Sequence, residues 1–440
     1  MKDKIVLNII FSIIEKFFIV GSQFIVSLLL IRLLPREEYG IIGIVIGYFA
    51  FIHILNASLE SIILRDHKKY DHHIEKYIYN FFIFNIFKSF LFITIASLLS
   101  YYLVNHFNNH DFVYSIFSIT FIYISDAIVA PLIIYNSAKF NQKLVTKISF
   151  LRSVLNVFVL LGLFYIPTLE YVFYKDLFVS LVYVTTWIVI TIKIFDIKSV
   201  DFKRDLDLIF IKKSFLEYSI WLHLNGVVTN FIYKSDTFFL SMFVGLVTIG
   251  NYNIALTSAN IANILPMILG YQNSVAISQV EDRKKEFYIS NIFIRISSYL
   301  GILTFAFFYF FGNEFLYIMT NQKENAEIYT YMLNVVAGLV IVKSFASPLN
   351  AYINIKGSVK SLFKNVLLPT LFFTFIVYFI SSKYYGAVAI SQANILVSLL
   401  WLFLMIKEIK RYDYDFSTLL NFRDDLSFIK SMIKREKKEL

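Results

Sequence analysis

The chain has 440 residues, 58% hydrophobic and 16% charged, with 48 Phe, 30 Tyr and no Cys, whereas soluble globular domains carry about 25% charged residues. That balance excludes a soluble enzyme, and the missing cysteines exclude disulfides, thiolate nucleophiles and cysteine metal sites. The formal net charge of +10 follows from where Lys and Arg sit along the chain, so it calls for no nucleic-acid partner.

The N-terminal stretch MKDKIVLNIIFSIIEKFF starts basic, but Glu15 and Lys16 interrupt its apolar region and no small-residue cleavage site follows. It reads as a retained first helix, over 5–34. Hydropathy predicts further membrane helices over 39–64, 77–104, 113–135, 148–166 and 172–194, then a polar linker over 201–214. A second set follows over 215–243, 250–276, 287–311, 328–352, 366–382 and 387–408, with a basic tail over 409–440 that ends KREKKEL and meets anionic headgroups. With both ends on one side, 29 of the 41 Lys and Arg fall in segments on that side, and three (Arg36, Lys323 and Lys383) in the opposite loops. The positive-inside rule therefore places both termini in the cytoplasm.

The expected fold is an all-α polytopic membrane protein of twelve transmembrane helices, six in an N-terminal lobe (1–200) and six in a C-terminal lobe (215–408). Loops this short leave no room for an extramembrane catalytic domain. A Walker lysine motif, HExxH and GxSxG are all missing, so ATP hydrolysis and zinc or serine hydrolase chemistry have no foothold. His67, His72 and His73 with Asp66 and Asp71 read as a solvated polar turn, not a metal site.

Six helices followed by six invite a test for duplication. LLPREEYGIIGI (33–44) aligns with FVGLVTIGNYNIA (243–255), placing Gly40 on Gly250, and YIYNFFI (77–83) aligns with YISNIFI (288–294). The pattern PLxxYxxxKxxxK occurs twice, as Pro131, Leu132, Tyr135, Lys139 and Lys143 and as Pro348, Leu349, Tyr352, Lys356 and Lys360. The offset grows from 211 to 217 residues between the second and third pairs, which predicts a longer loop over 312–327 than over 105–112. An even helix count per half makes the repeat parallel, so two six-helix lobes around a central cleft are expected. Asp126 and Lys343 fall at matching places ahead of the twin motifs and are expected to face each other across that cleft. The prolines are read as ending regular helix at 131 and 348 and as breaks at 266 and 369.

IRLLPREEYGIIGIV, an Arg-Leu-Leu helix end followed by Glu-Tyr-Gly, and YKSDTFFLSMFVGLVTIGNYNIAL (233–256), an Asp in a helix followed by a Gly-rich loop and Gly-x-Tyr, resemble the polysaccharide-unit flippases (Wzx type). These belong to the multidrug/oligosaccharidyl-lipid/polysaccharide exporter superfamily. The chain departs from that family where helix 2 ends LNASLESIILRDHKK instead of in a small-residue-rich Leu-Gly-Leu stretch. The resemblance implies a MATE-like, non-enzymatic transporter of the bacterial cytoplasmic (inner) membrane. Its substrate would be a prenyl-diphosphate-linked oligosaccharide for O-antigen or capsule, flipped between leaflets by alternating access. Membrane lipids and other membrane proteins of polysaccharide assembly are candidate partners, and no cofactor is implied beyond a coupling proton or sodium ion.

Charges inside the spans sharpen that expectation. Arg32, Arg152, Lys175, Asp176, Lys193 and Glu217 lie near span ends and are read as snorkelling. Glu15, Lys16, Lys88, Asp126, Lys234, Asp236, Arg295 and Lys343 lie at depth, and facing them to lipid would cost on the order of 20 kcal/mol, more than a protein's net stability. They therefore line an aqueous cavity or pair with one another. The functional reading gives Lys16, Lys88, Lys234, Arg295 and Lys343 a cationic lumen for a diphosphate, and Asp126, Asp236 and Glu15 ion coupling or gating. The other reading makes them ion pairs that hold helices in register. Alternatives to the flippase are an ion-coupled small-molecule antiporter of the same superfamily and a membrane-embedded polymerase or ligase.

Overall fold

A computed structural model describes residues 2–52, 74–139, 141–194, 207, 209, 220–263, 266, 269–270, 273–274, 276–277, 280, 282–323 and 325–421, and among these all regular structure is helical. The helices are α1 (Lys2–Leu33), α2 (Arg36–Ile52), α3 (Ile74–Phe107), α4 (Asp111–Ala138), α5 (Gln142–Leu160, prolonged by a 3-10 turn Leu161–Phe164) and α6 (Leu169–Ile194). They continue as α7 (Ile220–Ser241), α8 (Leu246–Asn260), α9 (Arg283–Thr320), α10 (Ala326–Ile341), α11 (Ser347–Lys356), α12 (Val359–Leu362) and α13 (Leu368–Ile409). Eight stretches among the described residues are long and apolar enough to cross a bilayer, and the protein is a multi-pass membrane protein. The last of them, Val359–Tyr412, holds two of the expected helices. They are divided inside α13 at Gly386, whose φ of 69° and ψ of −152° turn the chain at one residue. Expected helices 2, 7 and 8 extend onto residues outside the described ones.

The chain divides into two compact units, Met1–Phe238 and Phe239–Leu440, with the division inside α7. The linker expected at 201–214 lies outside the described residues apart from Asp207 and Ile209.

In the first unit α4 packs on α3 and α6, and α5 packs on α1. The core between them is built on Phe81, Val129, Leu132, Val145 and Trp187. Helix α2 meets α7 at Gly47, where a Cβ would come within 2.6 Å of Thr237 Oγ1 and 2.7 Å of the Phe238 nitrogen. Small residues allow such close helix approach in a bilayer, where lipid tails compete with apolar side chains. Tyr48 and Phe51 then set their rings edge-on to Phe238, each such pair adding about 0.5–1.5 kcal/mol beyond area burial.

In the second unit α10 packs on α13 with Gly338 against the Asn394 carbonyl. A buried polar link crosses this core. Tyr378 donates its hydroxyl to Asn394 Oδ1 at 3.0 Å, and Asn394 Nδ2 donates to the Tyr252 hydroxyl at 3.4 Å.

The structure corrects the loop expected over 312–327, because α9 runs on to Thr320. Gly312 ends no helix: a Cβ there would lie 2.7 Å from Tyr329 and 2.8 Å from Met332, so the glycine serves helix contact. Most of the extra length in the second half is thus added helix. The prolines also behave differently from expectation. Helix α4 continues through Pro131 to Ala138. Before Pro348 and Pro369 the chain widens into π turns, Val342–Ala346 and Phe363–Leu367, in which Ser347 N–H donates to the Val342 carbonyl and Leu368 N–H to that of Phe363. A proline has no N–H and its ring presses on the carbonyl four residues back, and a π turn just ahead of it relieves that clash.

Candidate functional site

Three polar rungs climb α5 in the first unit. Near its start, the buried Glu15 of α1 accepts from Gln142 Nε2 at 2.6 Å and from Ser149 Oγ at 2.9 Å. Half-way along, Arg152 pairs with Asp126 of α4 and lays its guanidinium 4.3 Å from the ring centre of Tyr183 on α6. Toward its end, Asn156 Oδ1 accepts from Lys175 Nζ at 2.9 Å, Lys175 pairs with its neighbour Asp176, and Ser118 donates to that carboxylate.

This corrects the snorkelling assignment of Arg152, Lys175 and Asp176. Lys175 and Asp176 have side chains only 3% and 8% exposed, because they sit on the face of α6 turned toward α4 and α5, where each charge finds its counterpart. A sequence signal for these rungs existed. Gln142, Ser149 and Asn156 recur every seven residues and so share one face of α5.

Helix α7 carries a different arrangement. Lys234 is half-buried, and among the described residues no acceptor or carboxylate meets its ammonium. One turn earlier on the same face, the buried Asn230 Nδ2 also has no partner. One turn earlier again, Gly226 is exposed, with open space where a Cβ would be. Two donors without acceptors beside an open position suit an anion. Asp236, two residues on, is buried, and its Oδ1 accepts from the Thr237 N–H at 2.8 Å.

The remaining expected cations are scattered. Lys16 is exposed and Lys88 is buried in α3. The side chain of Lys343 lies outside the described residues, so its expected pairing is not on view, while Asp126 already has Arg152. Arg295 in α9 is buried and donates to the Thr418 carbonyl. It belongs to a latch in which Asn291 Nδ2 donates to the Asp415 carbonyl at 2.9 Å and to Thr418 Oγ1 at 2.8 Å, and the Tyr414 hydroxyl donates to Asn291 Oδ1 at 2.9 Å. That docking of residues 412–420 had no sequence signal; of the expected tail, 422–440 lies outside the described residues. So do His67, His72 and His73 with Asp66 and Asp71. A further cavity of about 300 Å³ opens between α3 and α4, lined by Ser97, Ser100, Tyr101, Asn105 and His110.

Comparison with known proteins gives this arrangement its setting. Residues 29–323 match the model of a family described as polysaccharide biosynthesis protein. The chain belongs to that family. No curated protein matches it in sequence. Among solved structures it is similar to an inward-facing multidrug-resistance MATE transporter of the MOP superfamily, with a TM-score of 0.66 at 15% identity over 91% of this chain and 98% of that one. It is also similar to the lipid II flippase MurJ in an inward closed conformation, with a TM-score of 0.66 at 16% identity over 91% and 87%. A Vibrio cholerae MATE transporter gives 0.59 at 12% over 93% and 97%. At such identities the likeness establishes the fold, which is the MATE and MurJ fold. These neighbours are transporters and flippases, not enzymes.

Proposed function

We propose that this polysaccharide-biosynthesis family member flips a prenyl-diphosphate-linked oligosaccharide repeat unit across the bacterial cytoplasmic membrane by alternating access, for O-antigen or capsule assembly, with both its termini in the cytoplasm. The observation that carries this reading is the Lys234 and Asn230 pair on α7, which meets no acceptor among the described residues. A charge at depth with no internal partner costs stability, and a diphosphate supplies both the charge and the acceptors that the pair lacks. The cationic lumen thus centres on Lys234, with Lys16 and Lys88 of the same unit contributing field. Of the three carboxylates, Glu15 and Asp236 fit coupling to a proton or sodium ion better than Asp126, which Arg152 already neutralises. Other membrane proteins of polysaccharide assembly are the expected partners.

Depletion should leave lipid-linked repeat units on the cytoplasmic leaflet; their undiminished arrival outside would reject the flippase reading. Lys234→Ala should lower flipping about tenfold or more, because a hydrogen bond to a charged group contributes about 1.5–3 kcal/mol. Lys234→Arg, which keeps the charge, should retain most of it.

A further inference from the structure

We propose that Asp126, Arg152 and Tyr183 form a carbohydrate-binding site that reads hydroxyl groups of the transported glycan. The proposal rests on the flippase reading and adds to it a second recognition site, with chemistry unlike that of Lys234. Its first support is position. α4 covers 111–138, α5 with its 3-10 turn 142–164, and α6 169–194, so each of the three residues falls within two positions of its helix's midpoint. They form one layer half-way along the helices, where the bilayer is driest.

Exposure is the second support. The Asp126 side chain is 49% exposed and that of Arg152 25%. A carboxylate so exposed at mid-depth cannot face hydrocarbon, so this face of the first unit meets water. The neighbouring pair Lys175 and Asp176 provides the contrast. It is closed off, and Asn156 and Ser118 complete its hydrogen bonding, as a structural pin between helices requires.

Chemistry supplies the third support. The Asp126 and Arg152 pair is neutral overall, and its carboxylate would repel a diphosphate. Together the two groups present acceptor oxygens and spare N–H donors in adjacent planar groups, since a guanidinium has five N–H bonds and Asp126 does not use them all. Adjacent hydroxyls on a sugar ring offer the complementary donor and acceptor. The pair is also held rigidly. Tyr183 is fixed in the core with Trp187, and Ile148, Leu155, Val179 and Thr186 close around the arginine, leaving no room there for a water. Ligand must therefore approach from the Asp126 side. A site held this way loses little entropy on binding.

The test uses the full-length protein in nanodiscs with two probes, inorganic pyrophosphate and the free repeat-unit oligosaccharide released from the source's own surface polysaccharide. Calorimetry reports both probes. The double variant Asp126→Asn/Arg152→Gln should weaken oligosaccharide binding about tenfold or more while pyrophosphate binding stays within about twofold. Lys234→Ala should do the reverse. Retained pyrophosphate binding certifies the fold of the double variant. Should that variant unfold, the charge swap Asp126→Arg/Arg152→Asp keeps the pair and is expected to bind the sugar weakly. Wild-type protein that does not bind the oligosaccharide, or either Asp126/Arg152 variant binding it as wild type does, overturns the proposal. Neither result touches the flippase reading, which stands or falls on the leaflet assay.

Discussion

The segments 126–143 and 343–360 are written with the same PLxxYxxxKxxxK pattern, yet they are held in different ways. In both, the first lysine closes one helix and the second opens the next: Lys139 follows α4 and Lys143 begins α5, while Lys356 ends α11 and Lys360 lies in α12. The two lysines of a copy therefore do not share one helix face, although their four-residue spacing would put them on one within a continuous helix. Beyond that plan the copies diverge. Pro131 lies inside an uninterrupted α-helix and Tyr135 is half-buried, with Lys139 loosely above its ring at 5.9 Å. Pro348 follows a π turn, Tyr352 is 2% exposed between Phe287 and Tyr414, and Lys356 Nζ pairs with the buried Glu286 at 2.6 Å. Both segments form a helix–turn–helix corner. What packs against the corner decides how it is held, and in the second unit that is α9, through Glu286 and Phe287, together with Tyr414 after α13.

Four measurements can break or sharpen this comparison. Tyr352→Ala removes a core ring and should destabilise the protein by about 3–5 kcal/mol, against about 1 kcal/mol for Tyr135→Ala, measured by denaturant unfolding in nanodiscs; equal losses would mean the two corners are held alike. Next in size, Lys356→Ala leaves Glu286 buried without its cation and should cost about 2–3 kcal/mol, near the lower end for a broken buried pair because the lysine is partly exposed. Lys139→Ala should change stability by less than about 0.5 kcal/mol. Gly301→Ala tests the π turn itself: the new Cβ would lie 2.0 Å from Ser344 Oγ and 3.0 Å from Val340, an overpacking that should cost about 1–2 kcal/mol, part of which Ser344→Ala should restore.

The smallest effect is one of pH. Asp415 accepts from the Ser417 N–H at 2.7 Å and from its hydroxyl at 2.8 Å, which hold its carboxyl below the usual carboxylate range. A lowered value means the ionised form favours the docked segment. Its contribution is present above the ordinary pKa of about 3.9 and is lost as pH falls through the lowered one. Protection of the Ser417 amide, taken relative to the intrinsic exchange rate at each pH, should therefore hold at pH 5 and fall below about pH 4; Asp415→Asn should remove that pH dependence, and an unchanged protection profile would reject the assignment.

The membrane-spanning character was legible because hydropathy is a local property of the chain. The donors of α7 were partly legible, since Lys234 stands out by depth, although nothing local revealed that Asn230 would meet no acceptor among the described residues. The seven-residue spacing marks a polar face on α5 but not its partners, because Ser149 and Arg152 gain meaning from carboxylates, and Asn156 from the Lys175 ammonium, on other helices. Arg152 looked like a snorkelling residue until α4 brought Asp126 beside it. The length of α9 was misread because Gly312 and Asn313 carry the composition of a turn, whereas Gly312 meets Tyr329 and Met332. The role of Arg295 in the latch was out of reach, since Thr418 lies 123 positions on.

That same latch bears on the order of events during synthesis. Asn291 and Arg295 are made well before Asp415 and Thr418, the residues that later receive their N–H groups. Membrane insertion of α9 thus leaves two strongly polar side chains awaiting acceptors while more than a hundred further residues are translated. The second unit is completed last-in-chain, by its final described segment, whereas the first unit holds all its rungs once α6 has emerged.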